Sequence, residues 1–570
     1  MSNLNLKKNR CLGMVLLALC FVPLGCVQKR LVTNANGPYY NGMVVCAYPD
    51  AAKVGLDILK KGGNAVDAAV AVHFALAVTY PDAGNIGGGG FMVYRSKTGE
   101  TNTLDFREKG PAGASANMYL DAAGNVIPNM SLYTHKASGV PGSVDGMVQA
   151  HQKYGKLKWA DLLQPAIDLA RKGFKVTQRF ASELNHIKAQ VEKLNPGKAY
   201  LIKDTEWHEG DVLVQEDLAK TLEQIRDKGR EGFYDGIVAD QIVAEMKAGN
   251  GLISKADLQN YHSVWRKAVT GNYKGYKIIT MPPPSSGGIA LLQLLQSVEK
   301  DPLKKWGYNQ DSTVRLIVEA ERRVYADRSK YMGDPDFFKV PVDSLLKPSY
   351  ITSRMSNFSW DAATPSNSIQ PGTFAGYEND QTTHYSIVDH DGNAVSITTT
   401  LNDSYGSKIF VKGAGFLLNN EMDDFSSKPG VPNMYGLVGG KANSIQPGKR
   451  MLSSMTPTIV EKNGKLFMVV GTPGGSTIIT SVFQTIINVI EFDQDMQQAV
   501  TSKRFHHQWL PDAIAIEKGA LDSATIIKLQ SKGYKINSRG GIGRVDAILK
   551  TPQGYQGGAD PRGDDTKMGY

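Results

Sequence analysis

The sequence predicts an α+β fold in which antiparallel sheets carry helices on their outer faces. Three observations point there. Residues 144–265 read as mostly helical and amphipathic, and helical patterning resumes from Ile289 to about Arg328. After residue 380 short β-branched runs alternate with turn signals. The length, 570 residues, exceeds one ordinary hydrophobic core and calls for two domains or one large layered unit.

Taken in chain order, residues 27–40 are polar and loop-like, and Met43–Ala47 reads as a buried strand. A helix from about Asp50 to Lys61 stops at Gly62-Gly63, because glycine accepts the left-handed backbone that ends a helix. Asn64 caps a second helix, Ala65 to about Val78, which is apolar nearly all round and therefore buried. Four glycines, Gly87–Gly90, precede the strand-like Phe91–Tyr94. No Lys-Ser/Thr follows them, so close backbone packing is expected rather than a phosphate cradle. Pro282–Gly288 is a rigid turn before an apolar helix, Ile289 to about Val298. Ser353–Asn379 is rich in Ser, Asn, Pro and Gly and is expected to be exposed and mobile. Strands are expected at His384–Asp389, Ala394–Thr400, Thr458–Glu461 and Leu466–Val470, with a hairpin turn at Asp391-Gly392, and a buried helix at Thr477 to about Phe492.

Composition excludes several classes of protein. The apolar fraction is 41% and the charged fraction 21%, ordinary for a globular chain. The net charge is +9, but Lys7, Lys8 and Arg10 supply three of those charges and no basic stripe of the kind that binds nucleic acid follows. Those three residues lead into the apolar run Leu12–Leu24, too short for a comfortable membrane span, so residues 1–25 read as an export signal. Pro23-Leu24-Gly25-Cys26 resembles a bacterial lipoprotein box, although Pro23 stands where leucine is usual. Lipidation of Cys26 is one expectation; simple cleavage, or retention as a short anchor, is the other. Of four cysteines three lie in this region, which leaves Cys46 as a small core residue and no disulfide framework.

The chemistry concentrates at Gln381-Thr382-Thr383-His384, where a polar loop runs straight into a strand. A threonine hydroxyl needs a nearby base to act as a nucleophile. If the peptide bond before it is cut, its own new α-amino group, with a reference pKa of about 7.7–8.0, is that base. Two threonines at a strand start carry little information alone, since threonine favours strands, and Thr383 is the alternative nucleophile by bare chemistry.

The surrounding residues say more. Gln381–Asp389, Thr398–Asn402, Asn419–Phe425, Pro429–Gly440, Leu452–Thr458, Pro473-Gly474-Gly475 and Arg504–Pro511 together resemble the γ-glutamyltranspeptidases, as do Gly62–Ala69, Gly87–Met92 and Leu104–Glu108. The resemblance covers nearly everything after residue 40. It implies the four-layer αββα sandwich of N-terminal nucleophile hydrolases, and cleavage at Gln381–Thr382 into a large subunit (26–381) and a small one (382–570). It also implies the roles of individual residues. Thr382 is the nucleophile and Thr400 a supporting hydroxyl. Arg107, Ser453 and Ser454 take the substrate α-carboxylate. Asn402, Glu421 and Asp424 hold the α-ammonium, with Glu421 standing where some bacterial members have glutamine. Gly474 and Gly475 form the oxyanion hole, and Tyr435 belongs to a lid, Pro429–Gly440. Glutathione and other γ-glutamyl compounds are the implied donors; water, amino acids and dipeptides are the acceptors. No cofactor motif is present, and His506-His507 lacks the spacing of a metal site. Two rivals stand beside this reading. One is a cephalosporin-type acylase, which commonly lacks the lid; the other is a non-catalytic envelope lipoprotein on the same scaffold.

Overall fold

A computed structural model describes residues 38–197, 201–369 and 382–570, apart from positions 429, 432, 435 and 438. The signal segment and Cys26 lie outside the described residues. Two antiparallel sheets form the centre. The first has seven strands in the order Thr566–Gly569, Met43–Cys46, Thr383–Val388, Ala394–Thr400, Gly89–Arg95, Thr101–Phe106 and Val264–Arg266. The second has six: Gly554–Gly558, Asp546–Thr551, Lys465–Gly471, Thr458–Lys462, Tyr276–Thr280 and Val269–Tyr273.

Side chains alternate along each strand, and that alternation builds the layers. Met43 and Val45 join Val93, Ile279, Ile459, Val469 and Ile548 in an apolar seam between the sheets. Val44 and Cys46 point the other way, into a core shared with the helices Pro49–Lys60 and Ala65–Thr79. On the far side Val460, Met468, Val470 and Leu549 pack under Gly287–Val298, Asp311–Tyr331 and Thr477–Ile490. The result is helix, sheet, sheet, helix, as the sequence predicts. Ala65–Thr79 is buried along its whole length, and Asn64 and Asp67 form its reciprocal cap. Among the described residues no helix is long and apolar enough to cross a membrane.

The hairpin between Thr383–Val388 and Ala394–Thr400 closes in a tight turn, as expected: the Gly392 amide donates to the Asp389 carbonyl at 3.1 Å, and the Asp389 amide donates to the Asn393 carbonyl at 3.1 Å. Asp389 organises it by accepting from the Asn393 amide, and Gly392 sits at φ +87°. The strands at 264–280 and 546–569 were not legible from pattern. Of Ser353–Asn379, the described part through Ile369 is largely exposed, as expected, and hydrogen-bonded to the body at several points: Arg323 donates to the Arg354 carbonyl and to Asn357 and Thr364, and Trp509 donates to the Ser366 carbonyl.

Both sheets mix strands from before and after residue 382. Thr383–Val388 is hydrogen-bonded between Met43–Cys46 and Ala394–Thr400, and Tyr276–Thr280 pairs with Thr458–Lys462. The glycine run serves close packing. A Cβ on Gly88 would lie 2.1 Å from the Thr400 carbonyl oxygen, and one on Gly90 2.4 Å from that of Thr398. These are backbone atoms that cannot swing aside. Gly88→Ala is therefore expected to destabilise the protein by about 1–3 kcal/mol, as overpacking does, read as a lower denaturation midpoint.

Candidate active site

Thr382 lies immediately before a central strand of the first sheet, buried but for a small face. Its Oγ1 is 3.4 Å from Thr400 Oγ1, a long hydroxyl–hydroxyl contact. Thr400 ends the neighbouring strand and is held from two directions. Its hydroxyl accepts from the Asn402 amide at 2.8 Å, and its carbonyl accepts from Asn85 Nδ2 at 3.0 Å. Thr383, one residue on, points to the opposite face by strand alternation. It is fully buried, and its hydroxyl has no partner among the described residues. Of the two threonines, Thr382 is the one that borders a cavity.

Thr382 in fact borders two cavities. The smaller brings together Arg107, Thr400, Asn402, Glu421, Asp424, Ser453, Ser454 and Gly475, all singled out from sequence, with Arg328 and Leu437 beside them. The larger, of about 950 Å³, opens on the other side past Pro473, Ser404, Tyr405 and Arg539. Gly474 and Gly475 have φ of +137° and +53° and lie just before the helix Thr477–Ile490. The first-turn amides of that helix have no partner within the helix and carry the positive end of its dipole. Gln381 and Tyr435 lie outside the described residues. From the rest of the expected lid, Leu437 lines the small cavity, the Met434 amide donates to Asp423, and Asn433 Nδ2 donates to Asp424 at 3.2 Å.

The charged residues do not stand apart as two poles. Arg107 follows the strand Thr101–Phe106, and its guanidinium pairs directly with Glu421 and with Asp424. It also lies 3.4 Å from Glu108 and donates to the Met451 and Leu452 carbonyls. The acids come from a short 3-10 turn, Glu421–Asp424. Asn419 steadies that turn by accepting from the Glu421 amide while donating to the carbonyls of Gly87 and Gly139. Arg107 thus faces three carboxylates, Glu108 and Glu421 fully buried and Asp424 nearly so. Burial pushes all three acids upward, Glu108 to about 7, with the Arg107 charge opposing.

The sequence reading gave no role to Glu108, Asn85, Arg328 or Ser286. Glu108 stood inside a recognised stretch and its charge was the available signal; nothing local marked the others. His506 and His507 face different partners. His506 contacts Thr480 and Gln508; His507 contacts Asp512. Burial lowers them to about 3 and about 4, so both are neutral packing groups near neutrality.

The raised acids have a pH consequence. A carboxyl whose folded pKa lies above its unfolded value stabilises the fold at low pH, and that contribution fades as pH rises through the folded value. For Glu108 the window runs from 4.5 to about 7. The melting temperature is expected to fall between pH 5 and pH 8, and Glu108→Gln to flatten part of that slope, as thermal melts across pH will show.

Comparisons with known proteins identify the family. Residues 51–570 match the family model described as Gamma-glutamyltranspeptidase. The chain is 49% identical over 533 residues to the glutathione hydrolase proenzyme of Escherichia coli K12, covering 93% of this chain and 92% of that protein. In structure it is similar to a cephalosporin acylase from Bacillus halodurans, with TM-score 0.83, 27% identity, and 98% and 99% of the two chains covered. It is also similar to a Helicobacter pylori gamma-glutamyltranspeptidase chain, with TM-score 0.56 and 48% identity, covering 57% of this chain and 94% of that one. The chain belongs to the gamma-glutamyltranspeptidase family.

Proposed function

We propose that this protein is an exported, self-cleaving γ-glutamyltranspeptidase that splits before Thr382 and then uses that threonine to take γ-glutamyl groups from glutathione and related amides. The observation that carries the reading is the position of Thr382 at the junction of the two cavities. The small one is lined by the charges an amino-acid head group needs: Arg107 for the carboxylate, Glu421 and Asp424 for the ammonium. The large one has room for what lies beyond the scissile amide.

The chemistry follows from the residues at that junction. Cleavage of Gln381–Thr382 frees the Thr382 α-amine, which takes the proton of its own hydroxyl. Oγ1 attacks the γ-carbonyl, and the oxyanion faces the amides at Gly474 and Gly475. The proton passes to the amide nitrogen, the C–N bond breaks, and cysteinylglycine leaves through the large cleft. A γ-glutamyl ester remains on Thr382. Water then releases glutamate, or the amine of an amino acid or dipeptide enters by the same cleft and takes the acyl group. Arg107, Ser453 and Ser454 serve the α-carboxylate; Asn402, Glu421 and Asp424 serve the α-ammonium. Arg107 meets both acids directly, so binding a zwitterion exchanges one set of ion pairs for another at little net change of charge. Thr400 steadies the nucleophile. The large subunit, 26–381, stays bound to the small one, 382–570, because both sheets combine hydrogen-bonded strands from the two.

A cephalosporin-type acylase is the rival from the same scaffold. It needs a pocket for a side chain lacking the α-ammonium, and Glu421 and Asp424 argue against that. Two measurements test the proposal. Intact mass is expected to show two chains for the wild type, the smaller beginning at Thr382, and one uncut chain for Thr382→Ala. A well-folded wild type that stays whole would overturn the mechanism. Turnover of γ-glutamyl anilide is expected to exceed that of glutaryl anilide by at least about tenfold, the worth of one buried charge-assisted contact; the reverse order would favour the acylase.

A further inference from the structure

Arg328 lies in the last turn of the helix Asp311–Tyr331, buried, with its guanidinium at the small cavity. Its Nη2 donates to Ser454 Oγ at 2.9 Å, and its Nε donates to Ser286 Oγ at 2.8 Å. Ser286 passes the constraint on. Its hydroxyl donates to the Ser453 carbonyl at 2.7 Å and its amide to the same oxygen at 2.8 Å. Ser453 Oγ accepts from the Met455 amide at 3.1 Å. Both serine hydroxyls that line the cavity therefore already accept a hydrogen bond from the protein.

A hydroxyl has one hydrogen to give. Among the described residues neither Ser453 nor Ser454 gives its hydrogen to a protein acceptor. With their oxygens occupied from behind, the two O–H groups are left to point into the cavity, beside Arg107. Two adjacent donors next to a guanidinium match an anion with two acceptor oxygens.

Resting on the γ-glutamyl reading above, we propose that Arg328 is a positioning residue for donor recognition: it turns the Ser454 hydroxyl into a committed donor to the substrate α-carboxylate and locks the Ser453–Ser454 turn through Ser286. A lysine cannot replace it, because an ammonium lacks the planar fork that reaches two hydroxyls at once.

The test compares two donors on the self-cleaved protein: γ-glutamyl anilide, and 4-aminobutanoyl anilide, which is the same molecule without the α-carboxylate. The ratio of their kcat/KM values reads carboxylate recognition and is insensitive to a general loss of folded enzyme. Arg328→Gln is expected to lower kcat/KM for the γ-glutamyl donor about tenfold, chiefly through KM, and to change the other donor less than about twofold. Arg328→Lys should shift the ratio in the same direction. Ser454→Ala should reproduce the shift, and the double variant should be no worse than either single one, since both remove the same contact. Equal losses on the two donors would show a merely structural role and overturn the assignment. Should Arg328→Gln fail to fold or to self-cleave, Arg328→Lys decides instead, and an unchanged ratio there overturns the assignment too. If the wild type turns over both donors equally, the γ-glutamyl reading itself falls, and this assignment with it.

Discussion

The hydrogen-bonded ladder on both sides of Thr383–Val388 holds Thr382 in place, and the site is built outward from it. The strand pairs with Met43–Cys46 on one side and Ala394–Thr400 on the other. The first pairing ties residue 382 to the beginning of the chain. The second brings the Thr400 hydroxyl alongside. Because the register is antiparallel and the side-chain period is two, a slip of one residue would place Thr383 at the cavities and bury Thr382. The apolar seam between the sheets forbids that slip, since every inward-facing residue would turn outward with it.

Around this anchor the fold accepts an expensive concentration of charge. Arg107, Glu108 and Glu421 are shielded from water, Asp424 is mostly so, and the four lie within one cluster. Burying ions costs several kcal/mol each unless they are well paired, and here three acids share Arg107 directly, with the Arg328 charge also acting on Asp424. A scaffold selected for stability alone would place apolar groups here. A cluster able to swap its internal ion pairs for those of a bound zwitterion gives the cost a purpose. The neighbouring polar residues are arranged consistently with this. Asn85, Asn419 and Ser286 each donate to backbone or hydroxyl groups of the site, so they orient it without adding charge.

The two cavities divide the labour between specificity and access. The small one is ringed by groups whose directions are already committed, which favours one head group over others. The large one is bordered by loop and strand-end residues and has ample volume, which suits leaving groups and acceptors of varied shape. Thr382 is shared by both, and chemistry at the acyl carbon belongs where they meet.

Local sequence was enough for the elements whose causes are local. The Asn64 cap, the stop at Gly62-Gly63, the all-apolar helix after it and the strand-forming runs after residue 382 depend on neighbours within a few positions, and each appears where periodicity and capping place it. The layered α+β class followed from their order, and the four-layer form and most of the site residues from resemblance to a family. What sequence could not show is whatever depends on contacts between distant segments. Arg328 sits in an ordinary helical pattern, and only the packing of its helix against the turn at 284–286 brings it to Ser454. Arg107 reads as a substrate clamp in the sequence, yet in the fold it is joined to Glu421 and Asp424, over three hundred residues away. The short strands at 264–280 and 546–569 carry weak patterns and are fixed by pairing with distant strands. Local propensity sets which elements form; the hydrogen bonds and charges that make them a site are long-range, and the tertiary structure alone decides them.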